Sequence, residues 1–233
     1  EEIGCGAPRE EIVDAHLSYA SRWYRARSAD PRDWDLAIDM PSAPHQRRGG
    51  AAMRHEDGRW LVTLQGIAGA RAPTGDAEFV AWTRSLRVPE IHALIQDAEP
   101  ISPIHGFGRT ANRRRHFEEM ARFPDGLVVL GDAVAAFNPV YGQGMSVAAL
   151  GAQELDACLR AERARTGAPG LDGLSRRFQR RLAHLTDMPW QFATGEDFRW
   201  PETAGRRPGA VQRVVRAYSD QVMQLIEGDT EAA

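Results

Sequence analysis

The residues of this chain best able to hold a ligand are an aspartate set directly behind a short apolar run and a glycine-punctuated helix start just beyond it. They lie in GDAVAAFNPVYGQGM, residues 131–145. The run Leu127–Leu130 reads as a strand buried on both faces and ends at Gly131, with Asp132 next. A carboxylate at the carboxyl end of such a strand stands where open α/β sheets place their ligands, and it can accept hydrogen bonds from a ribose or another polyol. Capping a turn is the plainer role for the same side chain. Gly131 removes a side chain where another group needs close approach to the backbone.

The second half of the stretch favours the binding role. Pro139 stiffens the approach, and Gly142 and Gly144 leave backbone N–H groups unobstructed, with Gln143, Met145 and Ser146 completing the passage into a helix. The first-turn amides of that helix have no intrahelical partner, so its end favours negative charge by about 0.3 to 1 kcal/mol. A phosphate or the carbonyl edge of a reduced flavin would suit it.

Other residue sets carry weaker chemistry. GMSVA, residues 144–148, approaches the GxSxG nucleophile elbow, with Ser146 as nucleophile and Asp132 and His184 as partners. The elbow needs a strand running straight into the serine, whereas NPVYGQ intervenes, Ala148 replaces the last glycine, and the acid precedes the serine. Arg113, Arg114, Arg115 and His116 could meet a phosphate or carboxylate, but read as a solvated helix start paired with Glu118 and Glu119. Arg47 and Arg48, before Gly49 and Gly50, read as an exposed turn. Trp23, Tyr24, Trp60 and Phe107 read as ordinary core aromatics. The histidines show no HxH or HExxH spacing, and Cys5 and Cys158 form no CxxC, so neither a metal site nor a disulfide framework is expected.

The elements that must position these groups follow from periodicity. Residues 11–26 read as one long strand. GGAAMRHEDGRWLVTLQGIAG reads as a hairpin turning at Glu56, Asp57 and Gly58. Two short helices follow, DAEFVAWTRSL with Phe79, Trp82 and Leu86 at helical spacing and PEIHALIQDA behind Pro89. SPIHGFGRT is strand-like, and a helix opens at about Gly144. Beyond the linker TGAPGLDG, residues 174–200 read as a helix broken or kinked at Pro189, with Trp190, Phe192 and Phe198 nearby, and residues 208–228 as another.

At 233 residues the chain can bury a substantial core, and its 42% hydrophobic and 26% charged content is that of a globular protein. A net charge of -3 and a pI of about 6.2 lack the footprint of a nucleic-acid binder. No apolar run approaches the roughly 18 residues of a membrane span, and no signal peptide opens the chain, so a cytoplasmic protein is expected. The first residues, EEIGCGAPREE, lack an initiator Met and run into a strand, as if the sequence began mid-protein.

GLVVLGDAVAAFNPVYGQGMSVAALGAQEL resembles the second flavin-contacting motif of the FAD-dependent aromatic hydroxylases and related monooxygenases, the group of para-hydroxybenzoate hydroxylase and squalene monooxygenase. The resemblance implies FAD as cofactor: the Gly131–Asp132 pair at the ribityl chain, Pro139 beside the isoalloxazine, and Gly142, Gln143, Gly144, Met145 and Ser146 at the ring edge. It implies NAD(P)H as reductant, a flavin C4a-hydroperoxide as oxygen donor, and a small organic substrate. No side chain is nominated as catalytic acid or base.

The resemblance also implies an α+β fold: a β-rich substrate-domain-like segment over 1–106, a partial α/β FAD-binding segment over 107–160, and a helical C-terminal region over 161–233. The family's opening GxGxxG and mid-domain Asp-Gly motif are missing, since GQGMSV lacks the third glycine and its context. A fragment short of the ADP-binding half of the site is therefore expected, with a separate N-terminal half as a partner. The alternatives are a non-catalytic, degenerate flavoprotein-like module and a serine hydrolase using Ser146.

Overall fold

Strict alternation in RWLVTLQG puts Trp60, Val62 and Leu64 on one face of a strand, all fully buried, while Leu61, Thr63 and Gln65 face the other way half-buried. That strand is central to the larger of two antiparallel sheets in the computed structural model, which describes residues 4–26, 30, 32–166, 171–207 and 209. The larger sheet contains β2 (Ser18–Ala26), β3 (Leu36–Asp39), β4 (Arg48–Arg54), β5 (Arg59–Gly66) and β6 (Ala98–Pro100) in the order β3-β4-β5-β2-β6. β7 (His105–Phe107) shares the outer edge of β2 with β6. The smaller sheet has β1 (Arg9–Val13), β8 (Asn112–His116) and β9 (Ala135–Ala136) in the order β1-β8-β9.

The β4–β5 hairpin turns where expected, through His55–Gly58. Gly58 takes a φ of +78°, its N–H donates to His55 O at 2.9 Å, and Asp57 accepts from the Arg59 N–H at 3.1 Å. The helices α1 (Asp76–Thr83) and α2 (Pro89–Asp97) follow the hairpin and cover the Trp60 face, where Phe79, Ile91 and Leu94 are fully buried. Each such side chain contributes roughly 1.5 to 3 kcal/mol by leaving water. The opposite face, with Leu36, Ile38, Met53 and Phe107, stays about half exposed.

The single strand expected over residues 11–26 is two strands. At Asp14 the chain leaves the small sheet for the large one, through His16 at a φ of +56°, with the His16 N–H held by Asp14 Oδ1 at 2.7 Å. Asp14 also exchanges backbone hydrogen bonds with Ala204, and Ala15 O accepts from the Ala68 N–H. Val13, Ala15 and Leu17 are buried before β2 and Ala20 and Tyr24 within it, a change of parity that the half-buried apolar Tyr19 and Trp23 hide from a reading by periodicity alone. The chain returns to the small sheet at β8.

α3 (Gly144–Thr166) begins where the sequence places it, and α4 (Leu174–Asp197) runs continuously through Pro189. α4 returns antiparallel along α3: Glu162 meets Arg177, Glu154 meets Arg181, and Leu182 lies against Gly151. Leu174, Phe178 and Leu182 bury one stripe of α4 against Val134, Ala135 and Cys158. The helix expected over residues 208–228 lies outside the described residues, apart from Gly209.

Candidate flavin-binding loop

Leu127–Leu130 is extended but pairs with no strand among the described residues, contrary to the buried strand expected there. Leu127 is 43% exposed, and the other three are half-buried. An apolar run of this kind reads as a central strand, yet a strand exists only where a neighbouring backbone supplies the ladder. Val129 O instead accepts from Gln179 Nε2 of α4 at 2.8 Å.

The chain then turns through Gly131–Ala133, with Gly131 at a φ of +61° and the Val134 N–H bonded to Gly131 O at 2.9 Å. A left-handed φ is open to glycine without strain. The turn leaves Asp132 exposed and aims its carboxylate at the start of α3: Oδ1 lies 4.0 Å from the position a Cβ on Gly144 would take.

Between these points Asn138 caps a short 3-10 turn, Pro139–Tyr141. Its Oδ1 accepts from the Val140 N–H at 3.2 Å, and the Gly142 N–H bonds Pro139 O at 3.1 Å. Gly142 has a φ of +66° in open space, so this glycine serves the backbone turn. The Val147 N–H bonds Gln143 O at 3.0 Å, leaving the amides of Gly144, Met145 and Ser146 ahead of the first intrahelical bond. Met145, 86% exposed, and Ser146 stand in the open, whereas Gln143 Oε1 is buried without a partner. Carboxylate, unbonded amides and an orphaned acceptor thus converge around one helix start.

Beneath this loop lies a buried polar cluster that sequence reasoning missed. Asp197, at the end of α4 and 0% exposed, accepts from Asn112 Nδ2 (2.6 Å), Asn138 Nδ2 (3.0 Å) and Tyr141 Oη (2.7 Å). Burial pushes the Asp197 carboxyl up to about 6, against the opposing pull of those three donors. Burial and the adjacent carboxylate push the Tyr141 phenol up as well. The available signal was Asn-Pro at residues 138–139, a turn-initiating pair; nothing local marks Asn112 or Asp197.

Arg113–Arg115 and His116 form β8 rather than the expected solvated helix start. Alternation buries Asn112, Arg114 and His116 and turns Arg113 outward. Arg114 reaches Asp187 of α4 at 2.8 Å and Ala183 O at 3.1 Å. His116 lies near Glu118 and Glu119, whose ligand-type atoms all fall within 4.8 Å, but Arg9 already clasps Glu119 at 2.7 and 2.8 Å. Arg114 thus joins strand to helix, whereas Arg113 and Arg115 pair with Glu10 of β1. Arg47 and Arg48 also differ from an exposed turn: Arg48 opens β4 with its guanidinium over the Trp82 ring, and Arg47 bonds Glu202 and Ala68 O. Ser146 sits in the first turn of α3, whereas His184 lies mid-way along α4, 86% exposed and 3.6 Å from Asp187.

A crevice opens beside the loop, between the β3–β4 connection and the end of α4. Met40, Pro41, Ala43, Val140, Tyr141 and Trp200 line it. Glu196 and Arg199 also line it, so its walls are part apolar and part charged.

The fold is α+β, with antiparallel sheets and flanking helices. The chain is similar to the flavin-dependent brominase Bmp2, with a TM-score of 0.52, 14% identity, and coverage of 82% of this chain and 48% of that one. It is also similar to the anhydrotetracycline hydroxylase OxyS from Streptomyces rimosus, with a TM-score of 0.50, 19% identity, and coverage of 82% and 35%. Among curated proteins it is 35% identical over 160 residues to Protein Rv3254 of Mycobacterium tuberculosis, matching 68% of this chain and 33% of that one. The chain thus spans about a third of that relative and less than half of either structure. No family model matches it. Among the described residues, no helix is long and apolar enough to cross a membrane.

Proposed function

We propose that this chain carries the substrate-domain sheet and the ring-side half of the flavin site of an FAD-dependent monooxygenase acting on a small organic molecule. The observation that carries this reading is the approach of Asp132 to the start of α3, within a flavoprotein oxygenase fold. One ligand can use both, its polyol at the carboxylate and its ring edge at the amides. Gly131, Asp132, Pro139, Gly142, Gln143, Gly144, Met145 and Ser146 are the residues assigned to FAD.

The chemistry supplied by FAD when bound is reduction by NAD(P)H and activation of dioxygen. The chain's share is binding and electrostatics. With FAD bound, Asp132 would accept hydrogen bonds from the ribityl hydroxyls, Pro139 would stiffen the loop beside the ring, and the amides of Gly144, Met145 and Ser146 would favour negative charge at the ring edge. The half-exposed sheet face with Ile38 and Met53 offers an apolar substrate a surface to bind, and the crevice beside Val140 and Tyr141 adds the charged groups of Glu196 and Arg199. We assign residues 1–106 to the substrate-domain part, 107–160 to the flavin-contacting part and 161–233 to a C-terminal part whose described portion contains α4. Contacts to the pyrophosphate and adenine are assigned to further polypeptide, a role that Leu127–Leu130, paired with no strand among the described residues, fits by accepting another strand.

Titration of the purified chain with FAD tests the reading. The flavin's visible spectrum should shift on binding, and Asp132→Ala should remove the shift while leaving the folded state intact. A well-folded wild-type protein that leaves the spectrum unchanged, or an Asp132→Ala protein that binds as well as wild type, would sink it.

A further inference from the structure

The Asn138–Tyr141 turn is held by side chains from other parts of the fold. Asn112 of β8 turns its Oδ1 to the Asn138 N–H at 2.7 Å and its Nδ2 to Asp197 Oδ2 at 2.6 Å. Asn138 turns its own Oδ1 to the Val140 N–H at 3.2 Å and its Nδ2 to Asp197 Oδ1 at 3.0 Å. A backbone N–H can only donate, so the oxygen of each side-chain amide is committed to it. Both NH2 groups must therefore face residue 197. The Tyr141 hydroxyl adds a further donor to Oδ1 at 2.7 Å, and the Thr203 hydroxyl anchors the Asp197 carbonyl at 2.5 Å.

Residue 197 must consequently accept on both side-chain oxygens, which an aspartate carboxylate does. An asparagine there would turn an NH2 group toward a donor, and neither Asn112 nor Asn138 can flip to relieve the conflict without opposing its own backbone N–H. Asn112, Asn138 and Asp197 are all at most 1% exposed, so water is not at hand to substitute.

We propose that Asp197 is the positioning residue of the flavin-contacting loop, fixing the Asn138–Tyr141 turn and through it the direction of the first amides of α3. It touches no reacting atom. The flavin part of this assignment rests on the function proposed above, whereas the loop-fixing part rests on the hydrogen bonds alone.

Amide hydrogen exchange by mass spectrometry on the full chain, paired with FAD titration, separates the two parts. Asp197→Asn should speed exchange across residues 140–142 at least tenfold, because their N–H groups all bond within the turn. Leu94→Ala, in α2 beneath the large sheet, should lower Tm without speeding exchange there. At a temperature where every variant is folded, Asp197→Asn should bind FAD at least tenfold more weakly and Leu94→Ala as wild type. Should Asp197→Asn fail to fold, Tyr141→Phe, which keeps the carboxylate and removes one donor, should speed exchange of the same amides more modestly.

Wild-type exchange across 140–142 in a folded Asp197→Asn protein, or in Tyr141→Phe where that variant has to decide, overturns the positioning role. So does an equal acceleration in Leu94→Ala. Local acceleration in Asp197→Asn, in a chain whose wild type leaves the FAD spectrum unchanged, upholds the loop-fixing role and overturns the flavin reading.

Discussion

Tyr141 and Asp197, far apart in sequence, share a 2.7 Å hydrogen bond in which the phenol donates to a carboxylate with no exposed surface. The bond joins the loop before α3 to the last residue of α4. Burial costs the carboxylate more than its donors return, so the pair combines a geometric lock with a titratable group near neutrality.

The lock has a pH signature. The Asp197 carboxyl is raised from 3.8 to about 6, so the folded state binds its proton more tightly than the unfolded state does. Its contribution to stability is fully present below about pH 4 and is lost as pH rises to about 6, on the order of 3 kcal/mol in all. Asp14 adds to the upward shift, while Tyr141, which stays protonated, opposes it; Glu196 and Arg199 flank Tyr141. Unfolding free energies of wild type minus Asp197→Asn, measured from pH 4 to 8, should fall across that window and then level off. A difference that climbs with pH would mean that the hydrogen bonds outweigh burial.

Gly142→Ala isolates backbone conformation from contact. The residue has a φ of +66° and a Cβ there meets nothing within 4 Å, so the substitution should cost about 1 to 2 kcal/mol in chemical denaturation through backbone strain alone. A much larger loss would reveal a contact the geometry does not contain.

Gly66→Ala should be more damaging for a different reason. A Cβ at the end of β5 would lie 2.5 Å from the Ala70 carbonyl oxygen and 2.8 Å from its carbon, and backbone cannot swing aside as a side chain can. We expect a loss of about 1 to 3 kcal/mol, or more if the turn cannot shift. Gly58→Ala, where nothing lies within 4 Å, is the comparison that shows the cost of a positive φ by itself.

Asp39→Ala tests the edge of the large sheet. The carboxylate, 2% exposed, accepts from the Arg87 backbone N–H at 2.6 Å and from the Arg87 guanidinium at 2.6 and 2.9 Å. Because Arg87 is itself largely exposed, water can replace the side-chain partner but less readily the backbone one. Thermal or urea unfolding should register a loss of about 1 to 3 kcal/mol. No change would mean that the segment before α2 relaxes to solvent.

Much of the architecture was legible in the sequence because local rules govern it. The β4–β5 hairpin announced itself through Glu56, Asp57 and Gly58, α2 through Pro89, and α3 through the glycines before it. Asp132 and the residues around Gly142 drew notice for the same reason, each being a residue type with a specific backbone or charge consequence. The helical reading of Arg113–His116 failed because a run of charges carries no period, and burial of Arg114 depends on Asp187, 73 residues further along the chain.

The sequence by itself determined the α+β character and the order of sheet and helices, since hydrophobic period and turn chemistry act over a few residues. Tertiary structure alone decided that residues 11–26 cross between two sheets, that Leu127–Leu130 finds no ladder among the described residues, and that Asn112, Asn138, Tyr141 and Asp197 meet beneath the loop. Strand pairing and buried hydrogen bonds join residues distant in the chain, and no local pattern encodes which partner a donor will find.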